Sequence, residues 1–578
     1  MKTAECQFGV RKFKGLLLAG SFTVLASYVV RLSDAVVSGN MIGAEALAGV
    51  NLVSPILAAI SFIAGLIATG MATNYSIWMG RLDKTRARQF FMQAIWTSLI
   101  FGGGFALVIL FGRDAFLGFF GADAAVSSHA ADYLRWVWPV ALVECFQMSL
   151  VSLGYADGDS KLCSIAYVIV FISNVAVSVV AVKLGMGVGG CALGSLVSES
   201  LGALTMGVHF LRKTNSFRPV RHFSLMDSWR IACASFGDAA AFLCDAALFF
   251  FLNKFVIMNF GSGVLPVVGV AISLWGFLEF FNGIGVAVQP IVTVYYGEGN
   301  TKAVRAVMNS AMRVAAAEGL AFAVFFGFFP EAAVKMVGLD DPGLVAQGCM
   351  AVRIMCGGFV ALAFAGLYNS YYMFVEKALL AGVVTFCCYL FMPVACVAIC
   401  ALYGVNGVWV GIGLGPFAGA ILASLFIIAT EGMRKYPLLL GRGREPLVFP
   451  FDLVLDDWSV VETSKKVAGV LTTAGRDETV AFRASLMTEE VLMVVKERNK
   501  GRKVLAEVTL DLNPQEGPEG PVETSLLTIR DDGEIFDITD ADAQISSLRS
   551  FLVASVMERQ TGRVNLVTTG FNRNVFRF

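Results

Sequence analysis

Charge is what this 578-residue chain has least of: 15% of its residues are Asp, Glu, Lys or Arg, whereas 57% are hydrophobic. A soluble protein of this length needs far more charge to cover its surface, so a water-soluble globule is excluded. Histidine is nearly missing: His129, His209 and His222 stand far apart in sequence. The twelve cysteines are scattered singly, apart from Cys387 and Cys388, with no CxxC or Cys/His spacing. That pattern gives no basis for a zinc site and fits small apolar packing residues in a reducing compartment. Acid and base cancel to a net charge of zero, which argues against a nucleic-acid partner.

Glycine (59) and phenylalanine (47) are abundant, and glycine is more frequent in membrane helices than in soluble ones. The first fifteen residues are basic (Lys2, Arg11, Lys12, Lys14) and run straight into an apolar stretch, which reads as a retained first membrane helix rather than a cleaved signal. Spanning a bilayer takes about 20 mostly apolar residues. On that criterion about twelve spans are predicted, near 16–38, 47–72, 90–112, 133–155, 163–184, 189–211, 230–258, 264–290, 306–329, 348–374, 378–401 and 406–430. Basic loops follow the even-numbered spans: Arg81 to Arg88, then Arg212, Lys213, Arg218 and Arg221, then Lys302 and Arg305, then Arg434, Lys435, Arg442 and Arg444. The opposite loops, such as Gly261-Ser262-Gly263, are poor in base. Both termini are therefore expected in the cytoplasm, in a multi-pass protein of the cytoplasmic membrane.

An internal repeat accompanies this count. Gly80 closes span two and Gly297 closes span eight, and 297 − 80 = 217. Gly121-Ala122-Asp123 matches Gly338-Leu339-Asp340, and 338 − 121 = 217. Gly187-Val188-Gly189-Gly190 matches Gly404-Val405-Asn406-Gly407, and 404 − 187 = 217. A general preference of glycine for loops predicts no common offset. The expected architecture is two six-helix halves, 1–220 and 221–440, with a substrate path between them.

Past Arg444 the composition becomes mixed and charged. Strands are predicted at 503–512, 524–530, 563–569 and 575–578, helices at 487–499 and 543–558, and a turn segment over 513–521. Together they make an α+β domain over 446–578, large enough for its own core.

Acids inside spans are costly and mark function by default. The set is Asp34, Glu144, Glu199, Asp238, Asp245 and Glu279. Such a carboxylate facing a wet cavity can exchange a proton or hold sodium beside neutral oxygen ligands, and either couples transport to an ion gradient. Asp238, eight residues past Arg230, also fits an ordinary helix-end charge. Glu144 and Glu279 also fit packing against polar neighbours, and Arg31, one turn from Asp34, is a candidate pair for it.

Spread over about 430 residues, the pieces Asp34-Ala35-Val36-Val37-Ser38-Gly39, Gly80 to Arg88, Gly154-Tyr155-Ala156-Asp157-Gly158-Asp159-Ser160-Lys161, Asn174, Gly187 to Gly190 and Gln289-Pro290-Ile291-Val292 resemble the multidrug and toxic compound extrusion (MATE) transporters in order and spacing. The resemblance implies a secondary transporter, not an enzyme. It would export small organic, often cationic, compounds against entering sodium or protons, with no other cofactor. It carries the family's cation site onto Asp34 and Asn174. Ser178 stands where some members place a second acid, Ser195 is the nearest hydroxyl at the start of span six, and Glu199, one turn on, is a candidate replacement carboxylate.

The tail resembles the ATP-binding domain of histidine kinases and anti-sigma-factor kinases, the GHKL fold, through Glu489-Glu490, Ile529-Arg530-Asp531-Asp532-Gly533 and the closing Thr568 to Phe578. The resemblance places nucleotide contacts on Glu490, Asp531 and Gly533. Val494 stands at the Mg²⁺-binding Asn position, and Ser546 to Phe551 replace a glycine-rich lid. Phosphoryl transfer is therefore not expected, and ATP binding is in question. A nucleotide sensor, a docking site for a protein partner or a structural module remain open for the tail. Two other readings of the whole chain also remain open. A lipid-linked saccharide flippase of the same superfamily would line its cavity with bases, for which Arg31 and Lys254 are the candidates. A membrane sensor with a kinase-like tail would need a phospho-acceptor, for which His222 is the candidate.

Overall fold

The computed structural model describes residues 7–81, 83–120, 124–212, 217, 220–276, 280–336, 341–440, 447–513, 515–517, 520–522, 525–534, 564–568 and 571–578. Glu279, the glycine loops at 121–123 and 338–340, the expected helix at 543–558 and the segment Ser546–Phe551 lie outside the described residues, as do the side chains of Arg31 and Asp238.

The first set of helices comprises α1 (Gln7–Met41), α2 (Ala44–Gly80), α3 (Lys84–Thr97) continued by α4 (Gly103–Phe120), α5 (Ala124–Ala156), α6 (Ser160–Ala181) and α7 (Gly189–Gly207). The second set comprises α8 (Leu225–Phe260), α9 (Leu265–Gly276), α10 (Asn282–Gly297), α11 (Thr301–Phe328), the short α12 (Pro330–Met336), α13 (Pro342–Met355) continued by α14 (Phe359–Phe374), α15 (Ala378–Thr385), α16 (Met392–Cys400) and α17 (Val405–Glu431). Among the described residues, ten helical runs are long and apolar enough to cross a membrane. Large apolar side chains such as Phe111, Leu204, Phe250 and Ile421 are exposed on them, as lipid-facing surface requires.

Local sequence sets the helix boundaries, and they recur at the offset read from the sequence. Asp83 caps α3 by accepting from the Arg86 N–H, and Asn300 caps α11 by accepting from the Ala303 N–H; 300 − 83 = 217. Gly187 and Gly404 both hold positive φ, 56° and 97°, where a side chain would be strained.

The two sets meet through small residues. A Cβ on Gly70 of α2 would lie 2.1 Å from the Ile231 oxygen of α8, and one on Gly20 of α1 would lie 2.7 Å from the Gly283 oxygen of α10. Such close backbone approach is how helices associate where no hydrophobic gain is available. At the end of α2 and α10 the glycines touch one another: a Cβ on either would stand 3.0 Å from the Cα of the other. Arg81 reaches Glu376 (2.8 Å) and Arg86 reaches Asp227 (2.7 Å) at the same face.

The C-terminal region is a five-stranded antiparallel sheet, order β1-β2-β5-β7-β6, with α18 (Asp457–Thr473) and α19 (Glu478–Arg498) on one face. The strands are β1 (Val448–Val454), β2 (Leu505–Asp511), β5 (Leu526–Asp531), β6 (Val564–Thr568) and β7 (Phe571–Arg577). The expected turn over 513–521 instead contains a small hairpin, β3 (Gln515–Gly517) with β4 (Gly520–Val522). The expected helix from 487 starts earlier, at Glu478, because Asp477 caps it there.

Strand alternation sorts the residues onto two faces. Val508, Leu510, Leu527, Ile529 and Phe576 join the helices in an apolar core. The other face carries a charged row. Asp452 of β1 stands opposite Glu507 of β2, Glu507 opposite Arg530 of β5, and Arg530 opposite Arg573 of β7. This face is buried against the helix ends: Glu507, Arg530 and Arg573 are at most 1% exposed. Tyr295 of α10 donates its hydroxyl proton to Glu507 Oε2 (2.9 Å), the Arg530 guanidinium lies 5.1 Å over the Tyr295 ring, and Arg530 pairs with Glu298.

This junction holds three carboxylates, Glu298, Asp452 and Glu507, against two guanidinium groups. Burial, and then the neighbouring Glu507, push the Asp452 carboxyl up to about 7, although the backbone N–H of Gln7 donates to it (2.5 Å) and Arg530 opposes the shift. An ordinary carboxyl titrates near 4. The docked domain therefore holds about one proton more than the undocked one between pH 4 and pH 7, so docking weakens as pH rises across that window and levels off above pH 7. Thermal unfolding of the C-terminal domain in the intact protein is expected to shift to lower temperature between pH 5 and pH 7 and to change little from Asp452 above pH 7. Asp452→Asn should flatten that dependence. An unchanged slope in the variant would refute the assignment.

Candidate functional site

Four helices of the first set converge on Asp34. Tyr133 of α5 donates its hydroxyl proton to Asp34 Oδ2 (2.7 Å), and Ser195 of α7 donates to the same oxygen (2.9 Å). Asn174 of α6 donates through Nδ2 to Ser195 Oγ (3.1 Å), and Ser33 donates to Asn174 Oδ1. Asp34 is 5% exposed and Asn174 is fully buried.

Local sequence makes this convergence feasible. A Cβ on Gly194 would fall 2.0 Å from Ser178 Oγ and 3.0 Å from the Asn174 oxygen. Glycine there lets α7 press onto α6, which brings the next residue, Ser195, within reach of both Asn174 and Asp34.

The other Asp34 oxygen, Oδ1, is buried and has no hydrogen-bond partner among the described residues. A buried carboxylate oxygen left without a donor is destabilising, and it is the atom at which a proton or a hard cation binds with most gain. The surrounding donors are all oxygen or amide groups, the ligand class of hard cations rather than of zinc. Among the described residues no three His, Cys, Asp or Glu side chains gather into a metal-binding group.

The expected residues divide in their placement. Asp34, Asn174 and Ser195 meet in one cluster, joined by Tyr133 and Ser33, which sequence reasoning missed. Ser178 is buried beside them but donates to the Cys191 oxygen (3.4 Å). Glu199, one turn beyond Ser195, faces Tyr167 of α6. Glu144 accepts from Ser61 of α2 (2.9 Å), and so packs against a polar neighbour. Asp245 accepts from the Trp275 indole N–H (2.9 Å), within the second set.

The Asp157-Gly158-Asp159 turn serves another purpose. His209 is bracketed by Asp157 on Nε2 and Asp159 on Nδ1, each at 2.9 Å, and Arg212 adds a 2.6 Å pair with Asp159. This ties the end of α7 to the turn between α5 and α6.

In the C-terminal domain Asp531 is fully buried. Its Oδ1 accepts from the Gly533 N–H (3.0 Å) and from Asn572 Nδ2 (2.8 Å). A Cβ on Gly533 would lie 2.5 Å from Asn499 Nδ2, so the turn needs glycine for packing. Glu490 lies on α19, partly buried. These contacts place Asp531 and Gly533 in a strand-end turn, and Asp531 Oδ2 is buried with no hydrogen-bond partner among the described residues. The described part of the domain is an antiparallel sheet with helices on one face.

The MatE family model matches two stretches of the chain, residues 20–180 and 239–397. The ends of the two stretches differ by 397 − 180 = 217. Among solved structures, an outward-facing multidrug resistance MATE transporter of the MOP superfamily superposes with a TM-score of 0.68 at 21% identity, covering 74% of this chain and 97% of its own. A MATE protein in complex with MaL6 gives 0.67 at 21% identity, covering 72% and 95%. A MOP superfamily transporter from Pyrococcus furiosus, described as having a binding pocket of reverse polarity, gives 0.66 at 21% identity, covering 74% and 97%. No curated protein matches the chain. The family model covers more than half of the sequence and both sets of helices, and on that ground the chain belongs to the MatE family of membrane-embedded transporters.

Proposed function

We propose that this protein is a cation-coupled antiporter, driven by protons or sodium. It exports small organic, often cationic, compounds across the cytoplasmic membrane by alternating access between two six-helix halves, residues 1–220 and 221–440, of a twelve-span bundle. Both termini face the cytoplasm, and the domain over 446–578 regulates transport without catalysing phosphoryl transfer. The observation that carries this reading is the buried Asp34 carboxylate, with one oxygen held by Tyr133 and Ser195 and the other with no hydrogen-bond partner among the described residues. An acid so placed within a membrane helix is costly, and its retention marks a functional group.

The coupling group is Asp34, with Ser195 and Asn174 as neutral ligands, and Ser178, Glu199 and Glu144 form the surrounding polar wall of the same half. Asp245 and Glu279, with Asp238, are candidate acids of the other half. In proteoliposomes, efflux of ethidium is expected under an imposed proton or sodium gradient and not without one. Absence of efflux under both gradients, across a panel of organic cations, would refute the export reading and favour a lipid-linked saccharide as cargo.

A further inference from the structure

Among the described residues, Arg573 joins the C-terminal domain to both helix sets at once. Its Nη1 donates to the Met79 oxygen (2.9 Å) and its Nη2 to the Gly80 oxygen (3.2 Å), both at the end of α2. The same Nη2 pairs with Glu298 Oε1 (2.5 Å), the residue that caps α10. Arg530, its cross-strand neighbour, holds the other Glu298 oxygen. These groups sit over the point where Gly80 and Gly297 touch.

We infer that the C-terminal domain is a brace across the two helix sets: docked, it holds them closed at this face, and its release is needed before they part there. Anchoring a domain needs contacts to one set only. Glu298 and Tyr295 already provide them on α10, and the contact between Lys302 of α11 and the Val448 oxygen (3.4 Å) adds to it. The bonds from Arg573 to Met79 and Gly80 make the contact span the seam. If α2 and α10 separate, Arg573 loses either two carbonyls or its carboxylate, and a guanidinium 1% exposed is left partly unpaired. Breaking one side of a buried charge pair is far more costly than breaking an exposed one. The Asp452 contact with the first residue of α1 adds a second tie to the first set. The regulatory meaning of the brace rests on the alternating-access reading proposed above, but closure of the seam can be measured with no transport at all.

The test is hydrogen–deuterium exchange on the purified full-length protein and on Arg573→Ala, Arg573→Lys and Glu298→Gln. The readouts are peptides covering 77–84 and 294–301, with peptides covering 505–511 and 526–531 reporting whether the C-terminal sheet stays folded. Arg573→Ala and Glu298→Gln are expected to speed exchange at both helix ends about 10-fold or more, as loss of a local closing interaction does. Arg573→Lys should fall between, because a single ammonium cannot bond two carbonyls and a carboxylate in the arginine's fork geometry. Glu298→Gln leaves the C-terminal sequence intact, so its sheet peptides should keep their protection. Exchange at the helix ends unchanged in both Arg573→Ala and Glu298→Gln overturns the inference, whether or not the sheet stays folded. Acceleration confined to one helix end overturns it as well, because that is the signature of simple anchoring. If ethidium efflux fails while both ends respond, the transport reading falls and the brace stands.

Discussion

Asp34→Asn is expected to abolish gradient-driven efflux while leaving the protein folded and at least as stable as the wild type. The amide is nearly isosteric with the carboxylate. Its oxygen can still accept from Tyr133 and Ser195, the two donors that hold Asp34 Oδ2. What disappears is the charge and the second acceptor oxygen, Oδ1, which has no partner among the described residues. A neutral amide binds neither a proton nor sodium with useful strength, so the exchange step stops. Holding a charge in a buried site is unfavourable to folding, so neutralising it removes a cost rather than adding one.

The expected signature is therefore a split: efflux at background with a melting temperature unchanged or raised. It is read by proteoliposome efflux beside a thermal-shift curve of the same preparation. A variant that loses transport because it fails to fold would show the opposite melting shift. Thr205→Ala is the internal control. Thr205 lies on the same helix as Ser195 but donates to the Leu201 oxygen of its own helix in an exposed hydrogen bond, so its efflux should stay within about twofold, as for a surface substitution. Normal efflux in Asp34→Asn would remove Asp34 from the coupling step.

The parts of the site that were legible in the sequence are those where chemistry is conspicuous against its background. A carboxylate deep in an apolar span is costly to bury, so Asp34 stood out even with Arg31 one turn away as a candidate pair. Asn174 and Ser195 followed from family resemblance, not from the residues themselves. Tyr133 did not stand out, because tyrosine is common in membrane helices and its hydroxyl finds Asp34 across 99 residues of sequence. The spacing of the glycines gave the helix boundaries at the 217 offset. It did not reveal that two of those glycines touch.

The docking face of the C-terminal domain was illegible for a different reason. Alternating polar residues in a strand read as a face turned to water, and Glu507, Thr509 and Arg530 alternate in that way. Here the second face is covered by the chain's own helices, more than 200 residues earlier in sequence. Strand β1 was hidden by Pro450, which argues against a central strand; the structure puts it at the sheet edge, where proline is tolerated. Helix α18 begins with a capping box of Asp456 and Ser459, and serine is a less conspicuous partner there than the usual Glu or Gln.

Gly80→Ala and Gly297→Ala are expected to drive the two helix sets apart, and to do so about equally. A Cβ on Gly80 would meet the Val294 oxygen at 2.5 Å, and one on Gly297 would meet the Ile77 oxygen at 2.3 Å. These obstacles are themselves equivalent, since 294 − 77 = 217. Each is a backbone carbonyl inside a helix, so it cannot swing aside as a flexible side chain would. Relief requires the helices to move about 1 Å in a region packed at interior density. Overpacking of this kind costs about 1–3 kcal/mol, equivalent to about 5- to 150-fold in the ratio of open to closed at this face.

The displacement also withdraws Met79 and Gly80 from Arg573, so the C-terminal domain should loosen in the same variants. Fluorophores introduced at Thr85 and Arg305, both exposed at this face, would report the separation as a fall in energy transfer. Equal falls for the two single variants follow from the near two-fold relation of the contact. A fall in one variant only would mean that the asymmetric C-terminal domain, and not the glycine seam, sets the spacing of the two sets. No fall in either would mean that the close approach of α2 and α10 does not limit how the halves close.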